Sequence, residues 1–541
     1  MSKRYGRGLT ALGAMALCME AAPAAAHAFG ERYDLPVPLW LYLIGAGAAV
    51  VLSFVVMALF VRGAPELHGY PRFNLLRWRA GRLLAHSYTL SFIRLLSVSL
   101  FILILAAGLF GNQDSLENIA PTLVWVLWWV GMAYVCALLG DVWALINPWR
   151  VLFSWSEALY LRVTRKDFPT FIRPYPERLG YWPAVVLFLG YAWIEIVWHG
   201  GETPANIAIL SLVYSVITWS GMIVFGKEEW LRRGEVFSVV FGLLARFAPM
   251  EMRGTNPATC ASCPSEDCGR DGSECLNCYA CLSRVDQGDW EWNLRPHAVG
   301  LLTNRPIHPS LMVFVVLMLS TVTFDGFTET PVWAAILNWF ASAPFLRSFL
   351  LGLQSKGLDL LATIETAALV VFPILFLLVY LIFSRLIAVA AGSKGRLQAD
   401  AVKTEGPSVG EIARFFVFSL IPIAIAYHLA HYLSFLLIAG QLAIPLASDP
   451  FGFGWDLFGT VNYRFRLDIV DARFVWITAV SAIVAGHIVA VIMAHVMALR
   501  VFNNNRTALR SQYPMLLLMI AYTVLSLWIL AQPVVKSGPG G

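Results

Sequence analysis

This sequence is poor in charged residues. Only 13% of its 541 residues are Asp, Glu, Lys or Arg, whereas about 25% is usual for a soluble domain. Hydrophobic residues make up 58% of the chain, and the mean hydropathy is +0.67. This composition excludes an ordinary soluble protein and predicts that the lipid bilayer is the main surrounding medium. The net charge of +5 gives no indication of nucleic-acid binding.

The sequence also lacks the motifs of common catalytic domains. It contains no G-x-x-x-x-G-K-[ST] for nucleotide phosphates and no dinucleotide-binding G-x-G-x-x-G in a βαβ context. The zinc-protease motif H-E-x-x-H is absent too. The largest loop, residues 227–309, is partly apolar and too small for such a domain. These absences argue against an ATP-driven pump and a standalone hydrolase.

Long apolar segments, by contrast, recur along the whole chain. They are 17 to 33 residues long, and a helix needs roughly 20 residues to cross the hydrocarbon core of a bilayer. We expect an all-α polytopic membrane protein with ten transmembrane helices, at 39–61, 95–111, 119–146, 181–198, 204–226, 310–330, 359–391, 412–439, 472–499 and 513–533. Residues 29–226 then hold the first five helices and residues 310–541 the last five.

The first 28 residues have the pattern of a secretory signal peptide. A basic start (Lys3, Arg4, Arg7) precedes a short apolar run, and Ala26-His27-Ala28 fits a cleavage site. The mature chain would then begin outside the cytoplasm. Two alternatives stay open: an uncleaved first helix, or a cut before His27 that leaves an N-terminal copper-chelating histidine.

The distribution of positive charge predicts the orientation. Of the 39 Lys and Arg residues, 29 fall in the connections at 62–94, 147–180, 227–309, 385–414 and 500–512. Positive residues concentrate on the cytoplasmic side of membrane proteins. We therefore expect a bacterial-type inner-membrane protein with both termini outside the cytoplasm. Residues 227–249 mix charged and apolar residues and predict an amphipathic helix on the inner surface, and residues 148–168 predict another that starts at Pro148.

Six of the eight cysteines lie in one short stretch, CASCPSEDCGRDGSECLNCYAC. Because thiols stay reduced in the cytoplasm, this predicted inner loop favours a metal site over disulfides. C-x2-C-x11-C-x2-C fits zinc, and the C-x2-C-x2-C triplet with a separate Cys-Pro resembles bacterial ferredoxin ligands for an iron–sulfur cluster. Iron–sulfur, zinc and free or disulfide-bonded thiols all stay open, and the candidate ligands are Cys260, Cys263, Cys268, Cys275, Cys278 and Cys281.

Histidines occur near the middle of two consecutive apolar segments. His428 and His431 are three residues apart on the eighth segment, and His487 is central on the ninth. Adjacent antiparallel helices would bring these side chains to a similar depth. The three predict a cofactor site, either for a b-type haem with one axial ligand from each helix or for a metal ion, or else a proton relay. Interhelical hydrogen bonding without a cofactor is the alternative.

Further ionisable side chains lie within or beside the apolar segments. Such residues are costly in lipid, and they often mark proton or ion paths. The alternative is ordinary polarity at the helix ends. The candidates for a path are Asp141, Glu195, Glu365 and His495.

Three functions are consistent with these features. The first is a membrane redox component that exchanges electrons with a membrane or cytoplasmic partner through the cysteine site and the histidines. The second is a secondary transporter or channel for an ion or small solute, with a zinc-folded cysteine loop. The third is a non-catalytic scaffold or assembly factor.

Overall fold

The computed structural model describes residues 33–63, 70–166, 168, 173–255, 290–303, 305–392, 407–464, 466–502 and 504–534. Its helices confirm the expectation of ten apolar segments long enough to cross a membrane. They are α1 Leu39–Phe60, α2 Ser87–Phe110, α3 Ile119–Leu138, α4 Glu177–Ile196, α5 Pro204–Phe225, α6 Pro309–Thr328, α7 Leu360–Ala390, α8 Val409–Ser448, α9 Ala472–Val501 and α10 Asn505–Gln532. The predicted signal peptide lies outside the described residues.

Shorter helices connect these segments. They are Arg79–Leu84, Trp143–Ile146, Pro148–Thr164, Lys227–Arg233, Val236–Ala245, Pro331–Ser342 and Pro344–Ser355. The helix predicted to start at Pro148 is confirmed, because Asn147 caps it by accepting a hydrogen bond from the Arg150 backbone nitrogen at 3.2 Å. Proline suits this position, since the first helical residue needs no backbone N–H.

The segment 227–249 differs from its prediction. Instead of one helix on the inner surface, the chain forms two helices that separate at Gly234 and Glu235. The second helix is packed into the hydrophobic core, and eight of its ten residues are buried. An amphipathic pattern does not distinguish a lipid surface from a protein interior, because both receive the apolar face.

Helix α3 contains an unusual backbone segment. Residues Thr122–Gly131 form a π-helix, and α-helical geometry resumes at Met132. The helix then ends at Leu138, earlier than the hydrophobic run predicts, and Asp141 lies in the break that follows. π-Helical turns are rare and are often found at functional sites.

Helix α8 is the most buried of the ten membrane-spanning helices. It packs along α9, contacts α6, and lies against the π-helical part of α3. Its start includes a 3₁₀ segment, Val417–Leu420, just before Pro422. Gly486 of α9 permits the close contact with α8: a Cβ at Gly486 would lie 2.4 Å from the Ala426 Cβ and 2.8 Å from the Pro422 carbonyl oxygen.

A small antiparallel sheet marks one end of the helix bundle. Strands β1 Phe73–Asn74, β2 Met250–Gly254 and β3 Trp290–Leu294 pair with β3 in the centre. We call this end, which the charge distribution predicts to be cytoplasmic, the sheet end, and the opposite end the far end. Gly254 pairs with Trp290 in the sheet, so the two ends of the cysteine-rich stretch are held together.

Candidate functional site

A partly buried polar cluster lies in the half of the bundle towards the far end, where α3, α4, α6 and α8 meet. Its centre is Asp325, one turn before the end of α6. One carboxylate oxygen, Oδ2, lies 2.8 Å from His431 Nε2 and accepts a hydrogen bond of 2.6 Å from the Tyr432 hydroxyl. Two consecutive residues of α8 thus reach the same oxygen atom. Their rings lie close to perpendicular, with centroids 4.6 Å apart.

Glu195 adds a second carboxylate to this cluster. It lies at the end of α4, and its Oε1 accepts a hydrogen bond of 2.6 Å from the Trp129 indole nitrogen. The Glu195 carboxylate also interacts electrostatically with Asp325 and Tyr432. Trp129 belongs to the π-helical segment of α3. The rare backbone of α3 therefore supplies a direct contact to the cluster.

Aromatic rings enclose the side of the cluster that faces α3. The His428 ring lies 6.3 Å from Trp129, 5.7 Å from Tyr134 and 4.7 Å from Tyr432, measured between centroids. Among the described residues, the buried His428 Nε2 has no hydrogen-bond partner. The Tyr134 hydroxyl donates to the Leu429 carbonyl at 2.9 Å, which ties α3 to α8. We call Glu195, Asp325, His428, His431 and Tyr432 the acidic cluster.

The two histidines of α9 lie apart from these contacts. His487 Nδ1 is 2.8 Å from the Ile483 carbonyl of its own helix, and its ring lies 5.9 Å from Tyr522 of α10. His495 is bonded on both ring nitrogens, to Gln512 Oε1 at 2.9 Å and to the Val61 carbonyl at 2.8 Å. His495 therefore links α9 to α10 and to the end of α1, which is a structural role.

Glu365 and Asp141 also lie outside the acidic cluster. Glu365 is partly buried on α7, and Asp359 is the charged group that acts on it. Asp141 lies at the sheet end and accepts a hydrogen bond of 3.0 Å from the Ala144 backbone nitrogen. Burial raises the pKa of the Asp141 carboxyl from 3.8 to about 6, and the nearby Glu235 acts in the same direction. Of the predicted path residues, Glu195 alone joins Asp325.

Glu235 is a buried carboxylate that sequence reasoning missed. It lies in the break between the helices Lys227–Arg233 and Val236–Ala245 and caps the second of them, accepting a hydrogen bond of 2.7 Å from the Ser238 backbone nitrogen. The Tyr214 hydroxyl and the Asn147 amide also donate to it. Glutamate is not among the usual N-cap residues, which are Ser, Thr, Asp, Asn and Gly, so the sequence gives no clear signal for this cap. Its bonding is complete, which indicates a structural role.

The six clustered cysteines lie outside the described residues, but the anchor of that stretch is visible. Glu251 of β2 accepts hydrogen bonds from Arg295 at 2.7 Å, Arg72 at 2.8 Å and the Tyr70 hydroxyl at 2.9 Å. Both Glu251 and Arg295 side chains are fully buried. Burial and the Glu251 charge raise the pKa of Tyr70. We call this set of four side chains the ionic anchor.

Within the part of the chain that is described, no group of three or more His, Cys, Asp or Glu side chains is arranged to hold a metal ion. The predicted haem or metal site at His428, His431 and His487 therefore stays a prediction. Comparison with protein families, curated proteins and solved structures finds no match to this chain.

Proposed function

We propose that this membrane protein is a proton-coupled transporter of an ion or small solute, in which the acidic cluster takes up and releases the protons. The observation that carries the proposal is the contact of one Asp325 oxygen with both His431 and Tyr432 inside the apolar bundle. Ionisable groups within membrane-spanning helices are costly and are typical of proton relays and substrate paths.

The chemistry of the Asp325–His431 pair supports proton exchange. The pair can exist as a carboxylate with an imidazolium or, after transfer of one proton, as a carboxylic acid with a neutral imidazole. Histidine changes its charge near physiological pH more readily than any other side chain. Both forms keep the 2.8 Å hydrogen bond, so the proton can move without loss of packing.

The carboxylate of Glu195 favours the binding of a cation in the acidic cluster. Two nearby carboxylates in a medium of low dielectric constant repel each other when both are ionised. A proton or a substrate cation between Glu195 and Asp325 removes this repulsion. If a proton and a substrate cation compete for this same site, proton movement is coupled to solute movement. The surrounding Trp129, Tyr134 and Tyr432 rings also attract cations at their faces.

The proposal is tested with the purified full chain in liposomes. Proton movement is followed with a trapped pH-sensitive dye while gradients of Na⁺, K⁺, Mg²⁺, Mn²⁺, Zn²⁺ or methylammonium are applied one at a time. We expect at least one gradient to drive protons, and Asp325→Asn to abolish that flux. Glu365→Gln is the matched control, because it removes a membrane carboxylate outside the cluster.

Two results would overturn the transport proposal. One is a wild-type protein that moves no more protons than empty liposomes with every gradient in the series. The other is an Asp325→Asn protein whose flux equals that of the wild type. If Asp325→Asn and Glu365→Gln lose the same fraction of the proton flux, the acidic cluster has no special role. The loss is then a general effect of removing a membrane carboxylate.

The sheet at the ends of the cysteine-rich stretch supports the redox function as a second candidate. The β2–β3 pairing brings the ends of the cysteine-rich stretch together, and the ionic anchor fixes them to the bundle. Closed ends favour a compact metal-bound fold for a stretch that is too short for a core of its own. Metal analysis and an optical spectrum under anaerobic conditions separate iron with acid-labile sulfide from colourless stoichiometric zinc. The latter result would contradict an iron–sulfur cluster and agree with the zinc-folded loop of a transporter.

A further inference from the structure

A second set of buried polar atoms lies where α8 meets α6, α9 and α10. The Tyr427 and His487 side chains are fully buried. Among the described residues, neither the Tyr427 hydroxyl nor His487 Nε2 has a hydrogen-bond partner. Buried polar atoms in native proteins nearly always bond to protein or to ordered water. Two such atoms in the same part of the bundle therefore require an explanation.

The hydrogen bonding of His487 fixes the role of its free nitrogen. Nδ1 lies 2.8 Å from the Ile483 carbonyl oxygen. Because a carbonyl oxygen only accepts, Nδ1 must carry the hydrogen and donate it. In the neutral ring, Nε2 is then an acceptor. The Tyr427 hydroxyl has a hydrogen to donate. The Tyr427 hydroxyl therefore needs an acceptor, and His487 Nε2 needs a donor.

Tyr522 lies near both residues. Its ring centroid is 5.9 Å from that of His487, and its hydroxyl is 2.5 Å from Thr323 Oγ1 on α6. Tyr427 and Tyr522 also lie close enough to interact electrostatically. The Tyr427 hydroxyl occupies space that Gly326 leaves open, since a Cβ at Gly326 would lie 2.5 Å from the hydroxyl oxygen.

We propose that Tyr427, His487 and Tyr522 line a binding site for ordered water. A water molecule accepts from the Tyr427 hydroxyl and donates to His487 Nε2, so it satisfies both atoms in their fixed roles. No carboxylate is among the lining side chains, so a neutral occupant that both donates and accepts fits better than a cation.

This water site extends the acidic cluster across α8. The Tyr427 ring lies 6.1 Å from His431, and Gly326 directly follows Asp325. The Tyr427 ring therefore lies beside the acidic cluster, whereas its hydroxyl belongs to the water site. Water binding itself does not depend on transport.

A double-mutant cycle tests the water site. Tyr427→Phe and His487→Phe are made singly and together, and the midpoint temperature of unfolding is measured for each full-length protein. If one water bridges the two residues, His487→Phe lowers the unfolding midpoint of the Tyr427→Phe variant by less than half as many degrees as it lowers that of the wild type. Tyr427→Phe with Tyr134→Phe is the matched control, and these shifts should add, because Tyr134 bonds to the Leu429 carbonyl instead.

A high-resolution cryo-EM map of the wild type gives an independent readout if a variant fails to fold. We expect a density peak within hydrogen-bond distance of both the Tyr427 hydroxyl and His487 Nε2. Additive shifts without such a peak would overturn the proposal, and so would a stoichiometric metal at His487. If the wild type transports no protons but the peak is present and the cycle is non-additive, the water site stands and the transport proposal fails.

Discussion

Two carboxylates of this protein have opposite surroundings. Glu251, at the sheet end, bonds to two arginines and a tyrosine, and its side chain is fully buried. Asp325, in the far half of the bundle, bonds to a histidine and a tyrosine, and its side chain is 21% exposed. Arginine keeps its proton under all ordinary conditions, whereas histidine exchanges its proton readily.

The comparison separates a structural carboxylate from one suited to chemistry. The charges around Glu251 are permanent, so the ionic anchor holds a single state and joins β1, β2 and β3. In the proposed function, the hydrogen between Asp325 and His431 can lie on either residue, while Tyr432 donates to the same oxygen. Four substitutions test this difference between Glu251 and Asp325, with effects on stability that decrease from Glu251→Gln to Asp325→Asn.

Removal of the Glu251 charge should have the largest effect. Glu251→Gln keeps the shape of the side chain but removes the charge that the buried Arg295 bonds, and breaking a buried ion pair typically costs about 3–5 kcal/mol. The midpoint of thermal unfolding measures the loss. Asp468→Asn is the control, because it removes an exposed ion pair with Arg466 and should leave the midpoint unchanged. A Glu251→Gln midpoint equal to that of the wild type would mean that the anchor is not structural.

Asp141 sharpens the comparison as a carboxylate on which the effect of burial outweighs the opposing charge of Arg150. Its folded-state pKa of about 6 exceeds the ordinary 3.8, so folding favours the protonated form. The contribution to stability is full below pH 4 and is lost as the pH rises through 6, and two pKa units correspond to about 3 kcal/mol. In unfolding measured from pH 4 to 7, Asp141→Asn should flatten this slope. A variant with the wild-type slope would contradict the assignment.

The far half of the bundle depends on close helix contact as well as on polar bonds. Gly486→Ala would place a methyl group 2.4 Å from the Ala426 Cβ, so α8 and α9 must separate. Overpacking of this kind typically costs about 1–3 kcal/mol, measurable as a lower unfolding midpoint. Gly45→Ala is the control, because its added Cβ meets nothing within 4 Å. Equal midpoints for the two variants would show that the contact is looser than described.

Asp325→Asn should have the smallest effect on stability. The amide oxygen of asparagine can still accept from Tyr432, and the loss of charge assistance costs about 1 kcal/mol. The unfolding midpoint should therefore fall much less than in Glu251→Gln. A fall of equal size would place Asp325 in the same structural class as Glu251 and remove the contrast between the two sites.

The sequence predicts the membrane architecture well but not the meeting of its helices. Apolar length is a local property, so the ten helices are predictable within a few residues at most ends. Glu195 and His431 are recognisable singly as costly polar residues in lipid. Their contact with Asp325 depends on which helix faces meet, and Asp325 and His431 are 106 residues apart. The clue to Asp325 is a carboxylate within the last turn of an apolar segment.

Other residues show where pattern reasoning fails. His495 has the same sequence signature as His487, yet both of its nitrogens are bonded to protein. Nothing in the run of residues around Trp129 indicates a π-helix, because the same apolar sequence also suits an α-helix. The core position of Val236–Ala245 was likewise not predictable, because the apolar face of a helix can pack on lipid or on protein.

The most direct test of the account is whether Asp325 changes its protonation. Infrared difference spectra are recorded on the purified protein in lipid after a step from acidic to neutral pH, for the wild type, Asp325→Asn and Glu251→Gln. We predict a carboxylic-acid signal that changes with pH in the wild type, persists in Glu251→Gln and is reduced in Asp325→Asn. Identical signals in Asp325→Asn and the wild type would contradict a proton-exchanging Asp325–His431 pair.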